Sequence, residues 1–272
     1  MFWVSQSLIK EFFTKWGDRD HCPHRVYRTR ILKEFEEDTL SMEKGKYFET
    51  QCIGGTAWGE VNDLPRKKNG DKTADHVRID DAILLFRKIA RDKMISLNEY
   101  NTQLELRMKL NSEFGLHGHL DIFPTSFLED GEFILAFIDL KLTMDITSEW
   151  GDFCWGKPQF LDTTQLICYH TLVRHLNNEY NDFQNYPDLV RDSAEKGLIR
   201  GFYWVFGYKK EGFLPLEVEY TEMKVNEFRE NLRRTMSLIN LYTQQNWPKT
   251  PGKVCHKCPV KDCEMQGKTL KL

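Results

Sequence analysis

An α/β fold is predicted by three features of this 272-residue chain: apolar residues at helical spacing near both ends, apolar–polar alternation in the middle, and turn signals between the alternating stretches. Leu8, Phe12 and Trp16 recur every four residues and share one face of an amino-terminal helix ending near Gly17. Between Glu34 and Leu97 the pattern is mostly helical, broken at Gly54-Gly55 and at the basic stretch Pro65 to Lys72, an exposed loop. From residue 102 the period becomes two. Leu104, Leu106, Met108 and Leu110 alternate with polar residues, as a half-buried strand requires. Leu116 to Phe123 is a second strand, and after the turn signal Glu129-Asp130-Gly131 the apolar run Phe133 to Leu142 is a third, long enough to be central. A helix over about 161–175, a strand from Gly201 to Tyr208 and a helix carrying Phe228, Leu232, Met236, Ile239 and Tyr242 follow. The predicted order is helix, three strands, helix, strand, helix. Trp204 and Phe206 fall on one face of the last strand and Tyr203 and Val205 on the other, which predicts burial on both sides.

With 40% hydrophobic and 13% aromatic residues the chain has ample core material. No internal repeat, low-complexity tract or Pro/Ser-rich linker divides it, so a single domain over 1–272 is expected. No apolar run approaches the roughly 20 residues of a membrane span, and charge stands where a signal peptide would be apolar. A cytoplasmic protein with reduced thiols is the expectation. Lys and Arg total 38 against 41 for Asp and Glu, a net charge of -3, which neither announces nor excludes a nucleic-acid partner. Local stripes of charge decide binding, and carboxylates that hold metal can make a chain's total charge misleading.

Two strands carry carboxylates that a buried sheet tolerates poorly when unpaired: Asp121 in Gly118-His119-Leu120-Asp121, and Asp139 in Ile138-Asp139-Leu140-Lys141. Their cost is largely offset if both sit at adjacent strand ends and share Mg2+ or Mn2+, which take oxygen ligands. Residues two apart on a strand share a face, so Lys141 stands beside Asp139, where it can position or deprotonate a water. Such an arrangement suits phosphodiester hydrolysis. The alternative is strand-end capping or ordinary salt bridges. On the next helix, Gln165 and Tyr169 lie one turn apart on the same face.

A Gly-x-x-Asp strand, a turn, an apolar strand ending in Asp-x-Lys, and an amphipathic helix carrying Gln-x-x-x-Tyr closely resemble the core of the PD-(D/E)XK nucleases, specifically the RecB-type branch. The resemblance implies a mixed central sheet flanked by helices, in a core of about 40–210, with Gln165 and Tyr169 supporting the metal site and the nucleic-acid strand. It also implies an upstream acid, for which Gly45-Lys46-Tyr47-Phe48-Glu49 offers Glu49; Glu43 and Glu60 are substitutes, and Glu105 is expected to be structural.

Cys255, Cys258 and Cys263 crowd the carboxyl end, while Cys22, Cys52, Cys154 and Cys168 are scattered. Neighbouring thiolates bind soft metals well, but three need a fourth ligand. Cys22-Pro23-His24-Arg25-Val26-Tyr27 resembles the Cys-Pro-x-x-x-Tyr segment opening iron-sulfur RecB-type nucleases, including the CRISPR-associated adaptation exonucleases. That likeness implies a structural [4Fe-4S] cluster on Cys22, Cys255, Cys258 and Cys263, joining segments of about 17–34 and 248–272. Zn2+ is the rival ion, Cys52 the fallback ligand, and His256 a possible replacement in a zinc site.

Two basic stretches, Arg25, Arg28, Arg30 and Lys33, and Arg66, Lys67, Lys68 and Lys72, are candidate phosphate contacts, with a solvated charged face as the alternative. Trp150, Trp155 and Tyr203 would suit stacked bases of single-stranded DNA, with core packing as the alternative. The expected activity is Mg2+/Mn2+-dependent DNA hydrolysis at single-stranded or frayed ends, with recombination, replication or CRISPR adaptation proteins as partner classes. A DNA-end or partner-binding module with little cleavage, and a zinc-stapled structural domain, are the alternatives.

Overall fold

In the computed structural model six strands form one mixed sheet with helices on both faces. Residues 1–12, 22–35, 39–54, 61–150, 162–176, 179–181, 186–210, 212–250, 255 and 258–265 are described, 148 and 149 by backbone alone. Trp16, Gly17, Gly55, Glu60, Cys154, Trp155 and His256 lie outside the described residues.

In chain order the elements are β1 (Phe2–Ser5), α1 (Gln6–Phe12), α2 (Pro23–Val26) running into a π turn at Tyr27–Ile31, α3 (Leu40–Ile53), α4 (Ala74–Asp92), β2 (Thr102–Lys109), β3 (Phe114–Glu129) and β4 (Glu132–Asp145). Then follow α5 (Ile146–Glu149), α6 (Thr164–Arg174), α7 (Asp188–Glu195), β5 (Arg200–Lys210), β6 (Gly212–Glu217) and α8 (Glu222–Gln244). Threonine caps open three of the long helices: Thr39, Thr73 and Thr221 accept the backbone N–H of Met42, His76 and Lys224. Gly54, at φ 67°, ends α3 in the left-handed conformation that glycine adopts without strain.

Besides the short α2 with its π turn and α5, three further elements were not foreseen from sequence. β1 is too short to show alternation, and it forms only because β3 offers a parallel partner, pairing Val4 with Leu116. β6 contains Pro215, which a strand tolerates at a sheet edge, where β6 lies. α7 spans only eight residues. β3 is also longer than the predicted Leu116 to Phe123, because it serves two sets of neighbours. Its first half pairs with β1 and β2, and its second half with β4. The chain then crosses over through α6 and α7 to lay β5 parallel to β4, and β6 returns antiparallel to β5.

The core has two parts, one on each face of the sheet. Ile79, Ile83 and Phe86 of α4 and Phe48 of α3 pack on Ile138, Trp204 and Phe206. Leu166 and Tyr169 of α6, Leu8 of α1 and Phe228 of α8 pack on Phe137, Tyr203 and Val205. The alternation along β5 thus buries both of its faces, as its sequence predicts.

Candidate active site

β3 and β4 separate at the middle of the sheet. Their ladder runs in register from Glu129 and Glu132 to Thr125 and Ala136, shifts register, and has its last pair at Ile122 and Ile138; the next residues outward are Asp121 and Asp139. Beyond this point the β4 amide of Leu140 has no carbonyl of β3 to meet, and the carboxylate of Asp121 accepts it instead at 2.7 Å. Both acids are buried, Asp121 at 7% and Asp139 at 1% exposure. Lys141 follows on the same face of β4. Its ammonium pairs with Asp139 Oδ2 and stands 5.7 Å from the centre of the Tyr203 ring.

α6 supplies the opposite wall. Gln165 Nε2 donates to Asp139 Oδ1 at 2.6 Å and contacts Tyr169 Oη at 2.9 Å, one helical turn along. Gly118 lets the helix approach this closely: a β-carbon there would lie 2.7 Å from Tyr169 Cε1. The start of α6 is held by Asp162, whose carboxylate accepts the Thr164 N–H and pairs with Lys10 at 2.9 Å, while its carbonyl accepts from Tyr203 Oη.

Glu49 enters from α3. It lies on the buried face of that helix with Phe48, Cys52 and Ile53 rather than in solvent. Its Oε1 accepts a hydrogen bond from Gln103 Nε2, and Gln103 adopts φ 55°, an uncommon conformation for a residue with a side chain. No signal in the sequence marks Gln103, because its role depends on the approach of a helix more than 50 residues away.

Burial pushes the Asp121 carboxyl well above the usual carboxylate range, and the charges of Glu49 and Asp139 push it further. The charges of Glu49 and Asp139 thus both act on Asp121. For Lys141 burial acts against the charged form, but Asp139 and then Asp121 outweigh it, so the ammonium is held above its ordinary value. A lysine held charged in this way is placed to position and donate. Tyr169 is likewise held protonated, by burial first and then by Asp139 and Asp121. Mutually repelling, buried carboxylates with an ammonium beside them are a donor set suited to a hard divalent cation.

The two cysteine-bearing segments also meet. Cys22 Sγ accepts the Thr250 N–H at 3.4 Å, the His24 N–H donates to the Pro248 carbonyl at 3.3 Å, and Arg28 pairs with Asp262 at 3.1 Å. Tyr27 stacks on Trp247 with ring centres 5.0 Å apart. Burial raises the Cys258 thiol, and the charges of Cys22 and Cys263 raise it further. Cys255 is buried in the same carboxyl-terminal segment. Cys52 instead belongs to the core beneath α3, and Cys168 to the core beneath α6.

Other candidate contacts are redirected by the fold. Glu11, only 7% exposed, pairs with Arg25 and with Arg30, the latter at 3.3 Å, and Arg28 pairs with Glu34 as well as Asp262. These arginines brace the amino-terminal segment instead of forming an open basic stripe. In the second stretch Arg66 pairs with Asp63 at 2.8 Å and Lys72 pairs with Asp80. Tyr203 is 1% exposed and cannot stack a base; Trp150 packs edge-on against it at 5.3 Å.

No protein-family model and no curated protein matches the chain in sequence. Among solved structures, the Eubacterium rectale protein named "Putative exonuclease" superposes with a TM-score of 0.59 at 18% identity, over 99% of this chain and 90% of that one. The structure of SSO0001 superposes with a TM-score of only 0.38 at 14% identity, over 97% of this chain and 86% of that one. At 18% identity the first likeness is one of fold alone.

Proposed function

We propose that this protein is a metal-dependent DNA nuclease of the PD-(D/E)XK superfamily, RecB type, acting as an exonuclease on single-stranded or frayed DNA ends. The observation that carries the reading is the buried pair Asp121 and Asp139, with Lys141 on one oxygen of Asp139 and Gln165 on the other. Such a pair is costly in a sheet unless a ligand compensates it. The exonuclease direction draws on the name of the Eubacterium rectale protein that shares the fold.

Glu49, Asp121 and Asp139 would hold Mg2+ or Mn2+, which when bound offsets charge developing on a phosphoryl oxygen. Lys141, kept charged by the two aspartates, orients the attacking water. Gln165 fixes the rotamer of Asp139, and Tyr169 stays protonated as a donor beside it. Cys22, Cys255, Cys258 and Cys263 suit a [4Fe-4S] cluster whose part is structural, joining the two chain ends that already meet through Thr250, Pro248 and Trp247. Zn2+ on the same thiols is the rival.

The test is degradation of end-labelled single- and double-stranded DNA with Mn2+ by anaerobically purified protein, alongside iron and sulfide quantification. Asp139→Ala and Lys141→Ala should each slow cleavage by roughly a hundredfold or more. Wild-type rates in both variants would overturn the reading, and a colourless protein containing zinc would replace the iron-sulfur assignment.

A further inference from the structure

Two residues before Asp121, β3 carries a second group of metal-ligating side chains. His117 and His119 alternate onto one face of the strand, and the antiparallel register sets Glu105 of β2 opposite His119. One ligand atom from each of Glu105, His117 and His119 lies within 4.8 Å of the other two, the one such trio among the described residues. His117 Nδ1 and Glu105 Oε1 are 3.1 Å apart. That is already close to the ~3.4 Å separating two ligands of a tetrahedral ion bonded at about 2.0–2.2 Å. Arg107 donates to the other carboxylate oxygen, Oε2, at 2.7 Å, and its guanidinium lies over the Trp3 ring at 5.3 Å. Glu105 is thereby held with Oε1 toward His117, as a ligating carboxylate is held by its outer partners.

We propose that Glu105, His117 and His119 bind one divalent transition-metal ion, Zn2+ being the best chemical match, at a site separate from Asp121 and Asp139. Imidazole nitrogen with carboxylate oxygen suits Zn2+, whereas the all-oxygen set of Glu49, Asp121 and Asp139 suits Mg2+. Three protein ligands leave a four-coordinate ion one position for water or another oxygen donor. The site follows from the β2–β3 register and does not depend on DNA cleavage.

Titration calorimetry of the full-length protein with ZnCl2 tests it in four forms: wild type, His117→Gln/His119→Gln, Glu105→Gln and Asp121→Asn/Asp139→Asn. One equivalent should be lost in the double histidine variant, weakened roughly tenfold or more in Glu105→Gln, and kept in the double aspartate variant. Because the cysteines also take soft metals, Co2+ separates the two environments. Cobalt held here absorbs in the visible without a sulfur-to-metal charge-transfer band, and that absorption should vanish with the histidines. Equal uptake and affinity in wild type, Glu105→Gln and the histidine variant would reduce the trio to a cross-strand ion pair and overturn the proposal. Glu105→Gln, the conservative change, decides the matter if the double histidine variant does not fold.

Discussion

The carboxylate of Asp121 accepts the backbone N–H of Leu140 at 2.7 Å, taking the place of a ladder bond where β3 and β4 part. A side chain needed at the site thus also completes the sheet. Its neighbours Glu49 and Asp139, and its burial, make the ionised form unfavourable.

Asp121→Asn should therefore stabilise the protein in the presence of a chelator. The folded carboxyl keeps its proton to a higher pH than the unfolded one, so its contribution is fully present at low pH and is lost as pH rises through the folded value. Asparagine stays neutral and still accepts the Leu140 N–H. Melting curves should show the variant above wild type at about pH 8 and converging with it by about pH 4. Added Mn2+ should raise the melting temperature of wild type but not of the variant. A variant less stable than wild type at the higher pH would show that the acid is not destabilised as described.

Gly118→Ala should slow DNA cleavage more than it lowers stability. The added methyl would stand 2.7 Å from Tyr169 Cε1 and 3.1 Å from Leu172 Cδ1, pushing α6 away from β3 and Gln165 away from Asp139. Overpacking of this kind costs about 1–3 kcal/mol. Parallel denaturation and single-turnover assays separate the two effects; an unchanged rate with a lowered melting point would confine Gly118 to packing.

His170, buried between Phe137 and Tyr220, should make the protein acid-sensitive. Burial holds its imidazole down to about 4, against a smaller opposing effect from the hydrogen bond to the Val218 carbonyl. The unfolded chain binds a proton below about pH 6.5, so stability falls as pH drops from there toward 4, by about 3 kcal/mol in full. Urea unfolding of His170→Gln, whose amide can still donate to Val218, should show a flatter pH dependence than wild type; an identical slope would assign it to other groups.

Cys22→Ser should abolish the visible absorbance of the anaerobically purified protein and expose both chain ends to protease, while Cys52→Ser should leave the colour intact. The difference follows from position: Cys22 lies against Thr250 and near Cys258, whereas Cys52 is enclosed beneath α3. Retention of full iron content in Cys22→Ser would remove that residue from the ligand set.

The strands β2 to β5 and the helices α6 and α8 were legible because their signals are local. A period of two between residues 102 and 110 and helical spacing from Phe228 to Tyr242 come from neighbours along the chain. Asp121, Asp139, Lys141, Gln165 and Tyr169 were singled out by spacing within their strands and helix together with the resemblance of their order to the PD-(D/E)XK core. The apolar pattern of β5 already favoured core packing over base stacking for Tyr203, and the packing of Trp150 and the bond to Asp162 bury it. The arginines from Arg25 to Arg30 misled because their acid partners, Glu11 and Asp262, are distant in sequence from some or all of them.

By itself, the sequence determined which residues alternate, which share a helix face and which chemistry each strand end carries. Only the tertiary structure decided that Glu49 meets Gln103, that Asp121 replaces a backbone acceptor, that Cys22 lies against the carboxyl-terminal segment and that Glu105 faces two histidines across a strand pair. The reason is physical. Periodicity is written in covalent neighbours, whereas these contacts depend on where the β3–β4 ladder stops and how closely the helices approach the sheet, which burial of the whole core sets.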